Sequence, residues 1–246
     1  LQLQKQGEKG LNRPKSVALL LLHVLALCAL VYGVSGDIGM VAVYLAIYLV
    51  MLWSAGVHPL WLLGQVGAGV GAVALLWSRL PDYVRQRFLV VFDHDLDPLG
   101  TGFQQARSLL AIGSGQVTGQ GYLQGTQTQS ASASALPARH TDFIFSVAGE
   151  ELGLVGCVLI LLLEAAIILR CLQVARHAKT PFSSYVCVGV AGTLIFQVLS
   201  NVGMCLFVLP VIGLTLPFFS YGGSSLLALY AAMGIVSGIK KRAFTD

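Results

Sequence analysis

The stretch LGLVGCVLILLLEAAIIL, residues 152–169, decides the fold class, because this long apolar run contains a single charged residue, Glu164. A transmembrane helix needs about 20 mainly apolar residues to cross roughly 30 Å of hydrocarbon. Five further segments approach that length, at residues 16–34, 38–56, 60–78, 185–208 and 224–239. The sequence therefore predicts an all-α polytopic membrane protein with about six transmembrane helices, forming a single transmembrane domain over residues 1–246.

The composition supports this class and excludes others. Of the 246 residues, 56% are hydrophobic and 11% are charged, whereas soluble domains carry roughly 25% charged residues. The net charge of +4 does not indicate a nucleic-acid partner, because the basic residues form separate clusters at the ends of the apolar runs. The five cysteines lie in or beside apolar runs without the paired spacing of a disulfide framework or a zinc site.

The basic residues also predict the orientation of the chain. If the six segments cross the bilayer alternately, every lysine falls on one side, together with most arginines of the clusters: Lys5, Lys9, Arg13, Lys15, Arg170, Arg176, Lys179, Lys240, Lys241 and Arg242. The positive-inside rule makes that side the cytoplasm. Both termini are then cytoplasmic, and residues 79–151 form a large extracytoplasmic loop between the third and fourth spans.

This loop is too long for a plain connector and is predicted to be a partly ordered lid over the outer membrane face. Its glycines, Gly113, Gly115, Gly119, Gly121 and Gly125, lack a preceding strand and the G-x-G-x-x-G spacing of nucleotide sites. They predict turns in a flexible loop. Residues 130–135 are nearly low-complexity, and a helix is expected from residue 142 with a break near Gly149 or Gly153.

Asp142 is the first candidate for chemistry, since it follows Arg139 and His140 and enters an aromatic, apolar stretch. Such a setting can tune a carboxylate as a general base, and the alternative is an ordinary helix N-cap. Glu150 and Glu151 follow near the membrane, where acids are either functional or solvated at the interface.

A broken apolar stretch, LPVIGLTLPFFSYGGSS at residues 209–225, is the second candidate. Its prolines and glycines prevent a continuous helix, and non-helical backbone at membrane depth persists where it is buried in protein or lines a wet cavity. Gln197 and Asn201 lie one helical turn apart on the preceding span, where they either face that cavity or bond neighbouring helices. Glu164 and His23 are each alone in a span. Their expected role is a hydrogen bond between helices, or snorkelling of the side chain toward the membrane surface.

Together these segments resemble the RodA, FtsW and SpoVE family of peptidoglycan polymerases, and RodA most of all. The most specific motifs are LP at 136–137, HTDFIF at 140–145, GEELG at 149–153 and the 209–225 stretch. The chain is expected to be the C-terminal portion of a family member, because relatives have ten spans. It begins with Leu1, and its first four spans are expected to be missing.

The resemblance implies a peptidoglycan glycosyltransferase that polymerises lipid II at the outer face of the bacterial cytoplasmic membrane, in cell elongation, division or sporulation, with a class B penicillin-binding protein as partner. Asp142 would act as the base on the acceptor sugar hydroxyl. A divalent cation, Mg²⁺ or Mn²⁺, is a candidate cofactor, and no organic cofactor is expected. Substrate-binding residues are expected in the same segments: Arg139, His140, Thr141, Glu150, Glu151, Gln197, Asn201, Ser220, Tyr221, Ser224 and Ser225.

Two departures from the family pattern affect these expectations. Ala138 stands where relatives often have a glutamate, and Arg139 is also unusual at its position. Both alter the surroundings of Asp142. Asp37 is retained in a looser turn. Two other function classes remain open, a lipid II flippase, which would use the cavity without a base, and a scaffold that only docks a penicillin-binding protein.

Overall fold

The computed structural model describes residues 10–94, 96–97, 100–130 and 136–244. Three sequence features therefore lie outside the described residues: Lys5 and Lys9 of the basic cluster, residues 95, 98 and 99 of the loop, and most of the low-complexity run. Within the described part the chain is helical and has no β-strand, as the composition predicts.

In the first half of the chain the described residues include five α-helices. They are α1 (Pro14–Ser35), α2 (Ile38–Ser54), α3 (Pro59–Leu76), α4 (Asp82–Leu89) and α5 (Thr101–Gly115), with a short 3₁₀ turn at Trp77–Arg79. Three more helices follow, α6 (Ile144–His177), α7 (Pro181–Cys205) and α8 (Gly223–Phe244). The six predicted apolar segments all become helices.

Five helices of the described chain have the length and hydropathy needed to cross a membrane: Pro14–Ser35, Pro59–Arg79, Ile144–His177, Pro181–Cys205 and Gly223–Ala243. The sixth segment forms the apolar helix α2, whose 17 residues are slightly fewer than a usual span. Helix α3 has no buried residue, although it is almost entirely apolar. A helix that is apolar all round and exposed is suited to lipid contact. The chain is a polytopic membrane protein.

Within the described residues the structure forms two compact units, and the single transmembrane domain stays a prediction. The first contains residues 1–78, 167–196 and 230–246, and the second contains residues 79–166 and 197–229. In the first unit α1 packs on α2 and α2 packs on α3. Asp37 caps α2, since its carboxylate Oδ1 accepts a 3.1 Å hydrogen bond from the amide of Met40.

The second unit contains the predicted loop and its candidate residues. Its apolar core joins the start of α6 to the end of α7 and to the non-helical stretch that follows, through Leu136, Phe143, Phe145, Ala148, Cys157, Ile160, Met204, Cys205, Val211 and Leu216. Helix α5 packs close to α6, because a Cβ atom on Gly115 would overlap the carbonyl oxygen of Gly149. The extracytoplasmic position of this region stays a prediction.

Helix α6 contains a break at the position that the sequence predicts. Gly153 has φ 66° and ψ −167°, outside the helical region, so residues 144–152 form a short helix before the apolar run. The break brings Gly153 against the backbone of Val117, Thr118 and Gly119, where a side chain would collide. Glycine at this position therefore provides both the left-handed backbone conformation and the close approach.

Candidate functional site

Asp142 lies in a compact turn just before α6. The carbonyl oxygen of Ala138 accepts hydrogen bonds from the amides of Thr141 (3.1 Å) and Phe143 (3.2 Å) and from the hydroxyl of Thr141 (3.2 Å). The side chain of Phe143 is fully buried in the core of the second unit. Because α6 begins at Ile144, Asp142 stands one residue outside the N-cap position, and its side chain is half-buried.

The main chain of Asp142 is fixed by Asn201 of α7. The side-chain amide of Asn201 donates to the carbonyl oxygen of Asp142 (2.8 Å) and to that of Leu214 (2.7 Å). Asn201 is fully buried, so both bonds are shielded from water. Gly213 lies close to the carboxylate as well, since a Cβ atom there would be 3.8 Å from Oδ2 of Asp142. One side chain thus joins the acid's turn to the broken 209–225 stretch.

Ser220 provides a second connection between the same two segments. Its hydroxyl donates to the carbonyl oxygen of Thr141 (2.7 Å) and accepts from the amide of Leu216 (2.8 Å). The next amide, that of Tyr221, donates to the carbonyl oxygen of His140 (2.9 Å). Residues 140, 141 and 142 therefore each have their carbonyl oxygen bound by Asn201 or by the 220–221 pair. This geometry holds the backbone around the acid in one conformation.

A cavity of 510 Å³ lies beside this junction. It is lined by both apolar and polar residues: His140, Ile144, Phe218, Phe219, Ser220, Tyr221 and Leu226. His140 and Tyr221 are exposed, so the cavity opens outward, while Ser220 is buried. Asp142 is not among the described lining residues, but its chain neighbours line the cavity. The volume falls within the range of small-molecule sites, about 300–1,000 Å³.

The chain is similar to known proteins over most of its length. The profile of the family described as "Cell cycle protein", which groups FtsW, RodA and SpoVE, matches residues 2–244. This chain belongs to the FtsW/RodA/SpoVE family. The chain is 45% identical over 179 residues to "Peptidoglycan glycosyltransferase MrdB" of Escherichia coli K12, which covers 71% of this chain and 48% of that protein.

Further relatives agree with the family assignment. The chain is 38% identical to "Probable peptidoglycan glycosyltransferase FtsW" of Geobacter metallireducens over 84% of this chain and 54% of the relative. Among solved structures, a chain from "Structural coordination of polymerization and crosslinking by a peptidoglycan synthase complex" matches with TM-score 0.77 and 33% identity, covering 96% of this chain and 64% of that one.

The Thermus thermophilus rod shape determining protein RodA matches with TM-score 0.65 and 30% identity, over 99% of this chain and 62% of RodA. This chain spans about half the length of the curated relatives it matches.

The carboxylate of Glu150 is surrounded by hydrogen-bond donors from α5 and from the loop that follows it. The fully buried carboxylate of Glu150 accepts from the amides of Gln127 (2.7 Å) and Thr128 (2.8 Å) and from the hydroxyls of Thr126 (3.2 Å) and Ser114 (3.3 Å). Its oxygens are therefore occupied by the loop. We assign Glu150 to holding the loop, and its substrate-binding role stays a prediction.

Glu151 also accepts hydrogen bonds from residues of the loop. It is 5% exposed and accepts from the amide of Leu123 (3.0 Å) and from the side-chain amide of Gln129 (2.5 Å). The prediction that the glycines form turns in a flexible loop is therefore wrong in part. Gly113 and Gly115 lie inside α5, and the turns that follow are hydrogen-bonded to Glu150 and Glu151. Glu151 therefore also holds the loop, and its substrate-binding role stays a prediction.

The remaining predicted residues occupy different positions. The guanidinium of Arg139 donates to the carbonyl oxygens of Thr128 and Ser130 and reaches Nε2 of His140 (3.3 Å), so it joins the loop to the turn. The hydroxyl of Ser225 lies 3.2 Å from that of Thr215.

Two other predicted residues lie apart from these hydrogen bonds. Ser224 is exposed in the first turn of α8. Gln197 lies one helical turn before Asn201, and its buried Oε1 has no hydrogen-bond partner within the described residues.

Two polar residues of α5 were missed by sequence reasoning. The fully buried side-chain amide of Gln105 donates to the carbonyl oxygens of Met204 (3.0 Å) and Leu209 (2.8 Å). The hydroxyl of Ser108 donates to the carbonyl oxygen of Cys205 (2.8 Å). The last carbonyl groups of a helix have no partner within it. Gln105 and Ser108 therefore satisfy the end of α7, just before the stretch that lines the cavity.

No group of three His, Cys, Asp or Glu side chains that could hold a metal ion occurs among the described residues. A cation such as Mg²⁺ is commonly bound through one or two carboxylates plus substrate phosphate oxygens. The half-buried carboxylate of Asp142 fits that mode of binding. The divalent cation thus stays a prediction.

Proposed function

We propose that this chain is part of a peptidoglycan glycosyltransferase that polymerises lipid II, with Asp142 as the general base. The observation that carries the proposal is the junction described above, in which three successive carbonyl groups at residues 140–142 are fixed beside a cavity. Similarity to relatives named peptidoglycan glycosyltransferase supports the reaction class.

The proposed chemistry needs one proton transfer at a fixed position. Asp142 takes the proton of the acceptor sugar's 4-hydroxyl, and the oxygen attacks the donor's anomeric carbon. The bond from that carbon to the lipid pyrophosphate breaks, and the pyrophosphate leaves with the electron pair. A positioned base of this kind contributes roughly 10²–10⁴-fold to a rate.

Asn201 and Ser220 act on the acid through its backbone. A rigid turn keeps the carboxylate within hydrogen-bond reach of the acceptor hydroxyl, and a displacement of about 1 Å can cost on the order of 100-fold in rate. His140, exposed at the cavity, is the candidate for contact with the pyrophosphate. A divalent cation would supply additional positive charge there.

The cavity's lining suits a lipid-linked sugar. Phe218, Phe219 and Leu226 present apolar surface, whereas His140 and Tyr221 present polar groups at the opening. The distribution of basic residues favours an extracytoplasmic position for the second unit, where lipid II is polymerised. The similarity to a chain of a peptidoglycan synthase complex supports a class B penicillin-binding protein as partner.

The test uses the full-length protein that contains this chain, purified with its penicillin-binding partner and supplied with lipid II. Wild type should form glycan polymer and Asp142→Ala should not. Polymer formed at the wild-type rate by Asp142→Ala would refute the assignment. If wild type forms no polymer but moves lipid II across vesicles, the flippase hypothesis is correct instead.

A further inference from the structure

A second cavity, in the first unit, is independent of the proposed catalytic site. It has a volume of 420 Å³ and lies between the C-terminal parts of α6 and α8. The two helices meet there through Cys171 and Met233, whose sulfur atoms are 3.8 Å apart. The space is therefore a cleft between packed helices near the ends of two membrane spans.

The cavity combines a buried apolar floor with basic side chains. Its floor includes Cys171, Val174 and Val236, each 5% exposed or less. Arg170, His177 and Lys240 also line it, and no acidic side chain is among its described lining residues. Arg170 and Lys240 are exposed, so their charges stand at the mouth of the cavity.

The surrounding residues indicate where a ligand would extend. Leu169 and Ile235 directly precede or neighbour the lining residues and are 58% and 56% exposed. They belong to the apolar part of the two spans, where exposed apolar side chains face lipid tails. A ligand with a negatively charged head and apolar tails would therefore match both the basic mouth and the adjoining apolar surface.

We propose that this cleft binds the headgroup of an anionic phospholipid such as phosphatidylglycerol. Arg170 and Lys240 contact its phosphate, and its acyl chains lie along the exposed faces of α6 and α8. Basic pockets between transmembrane helices on the cytoplasmic side are suited to anionic headgroups. The cytoplasmic clustering of basic residues, including Arg176 and Arg242 nearby, places the site in the inner leaflet.

The test measures phosphatidylglycerol binding to the full-length protein in detergent by native mass spectrometry, with phosphatidylcholine as the neutral lipid. The double variant R170Q/K240Q should raise the Kd of the first phosphatidylglycerol by about tenfold. The matched control R176Q/R242Q removes the same charge from the same helix ends, outside the cavity lining. It should change the Kd by less than about twofold, because Arg176 and Arg242 do not line the cavity and their exposed charges are partly screened by salt.

A second variant tests the cavity without changing charge. Ser237→Trp should fill the cleft and weaken binding, whereas Gly238→Trp, at a position with open space around it, should not. Equal losses in the two charge variants would overturn the site in favour of diffuse surface charge. An unchanged Kd in R170Q/K240Q, or displacement of the lipid by inorganic phosphate alone at equal concentration, would overturn it too.

Discussion

Replacing Glu150 with alanine should detach the loop from α6. The carboxylate is fully buried and accepts two backbone and two hydroxyl hydrogen bonds. Without it the amides of Gln127 and Thr128 lose their acceptor, and a buried donor left unsatisfied costs about 1–3 kcal/mol. The hydroxyls can turn to other acceptors, so the two amides dominate the estimate. We expect Glu150→Ala to lower the free energy of unfolding by about 2–6 kcal/mol.

The assay combines unfolding in SDS with hydrogen exchange of the loop amides. Glu150→Gln retains the shape but places an amide group among donors, so it should lose roughly half as much stability. The control Asp82→Asn changes an exposed carboxylate paired with Arg85, which should cost less than about 1 kcal/mol. Wild-type stability and wild-type exchange at residues 127 and 128 in Glu150→Ala would refute the assigned role.

Three further substitutions test the second unit. Gly115→Ala should destabilise the protein, because the methyl group overlaps the carbonyl of Gly149. The control Gly113→Ala, on the same helix, meets open space and should be neutral or stabilising by up to about 1 kcal/mol. Thermal unfolding of the two variants tests this difference. Ser220→Ala should cost about 1–3 kcal/mol in the same assay, and equal stability would contradict its two bonds. Asn201→Ala should reduce kcat for lipid II polymerisation by on the order of 10–100-fold with little change in KM, and an unchanged kcat would remove its positioning role.

The spans could be predicted from the sequence because the bilayer itself dictates their length and composition. Helix α5 was not predicted, since its polar residues Gln105 and Ser108 are buried against the end of α7, and a buried polar face has the composition of a loop. That partner lies about one hundred residues away in the chain, at Met204 and Cys205. Local patterns contain no information on such a contact.

The candidate site could be predicted in part for a similar reason. The motif identified the segment of Asp142, and the spacing of Gln197 and Asn201 indicated a residue facing the 209–225 stretch; Asn201 contacts Leu214 of that stretch. For Glu150 and Glu151, position near the membrane indicated either function or solvation at the interface. The structure supplies their partners from loop residues 20 or more positions earlier, which local sequence patterns do not indicate.

The proposed role of Asp142 is to accept a proton, and its neutral isostere tests this role most directly. Asp142→Asn keeps the side-chain shape and the backbone bonds to Asn201, so lipid II should still bind. In steady-state polymerisation by the full-length protein with its partner, we predict a kcat at least about 100-fold below wild type and a KM within about threefold of it. A kcat within about twofold of wild type would contradict the account.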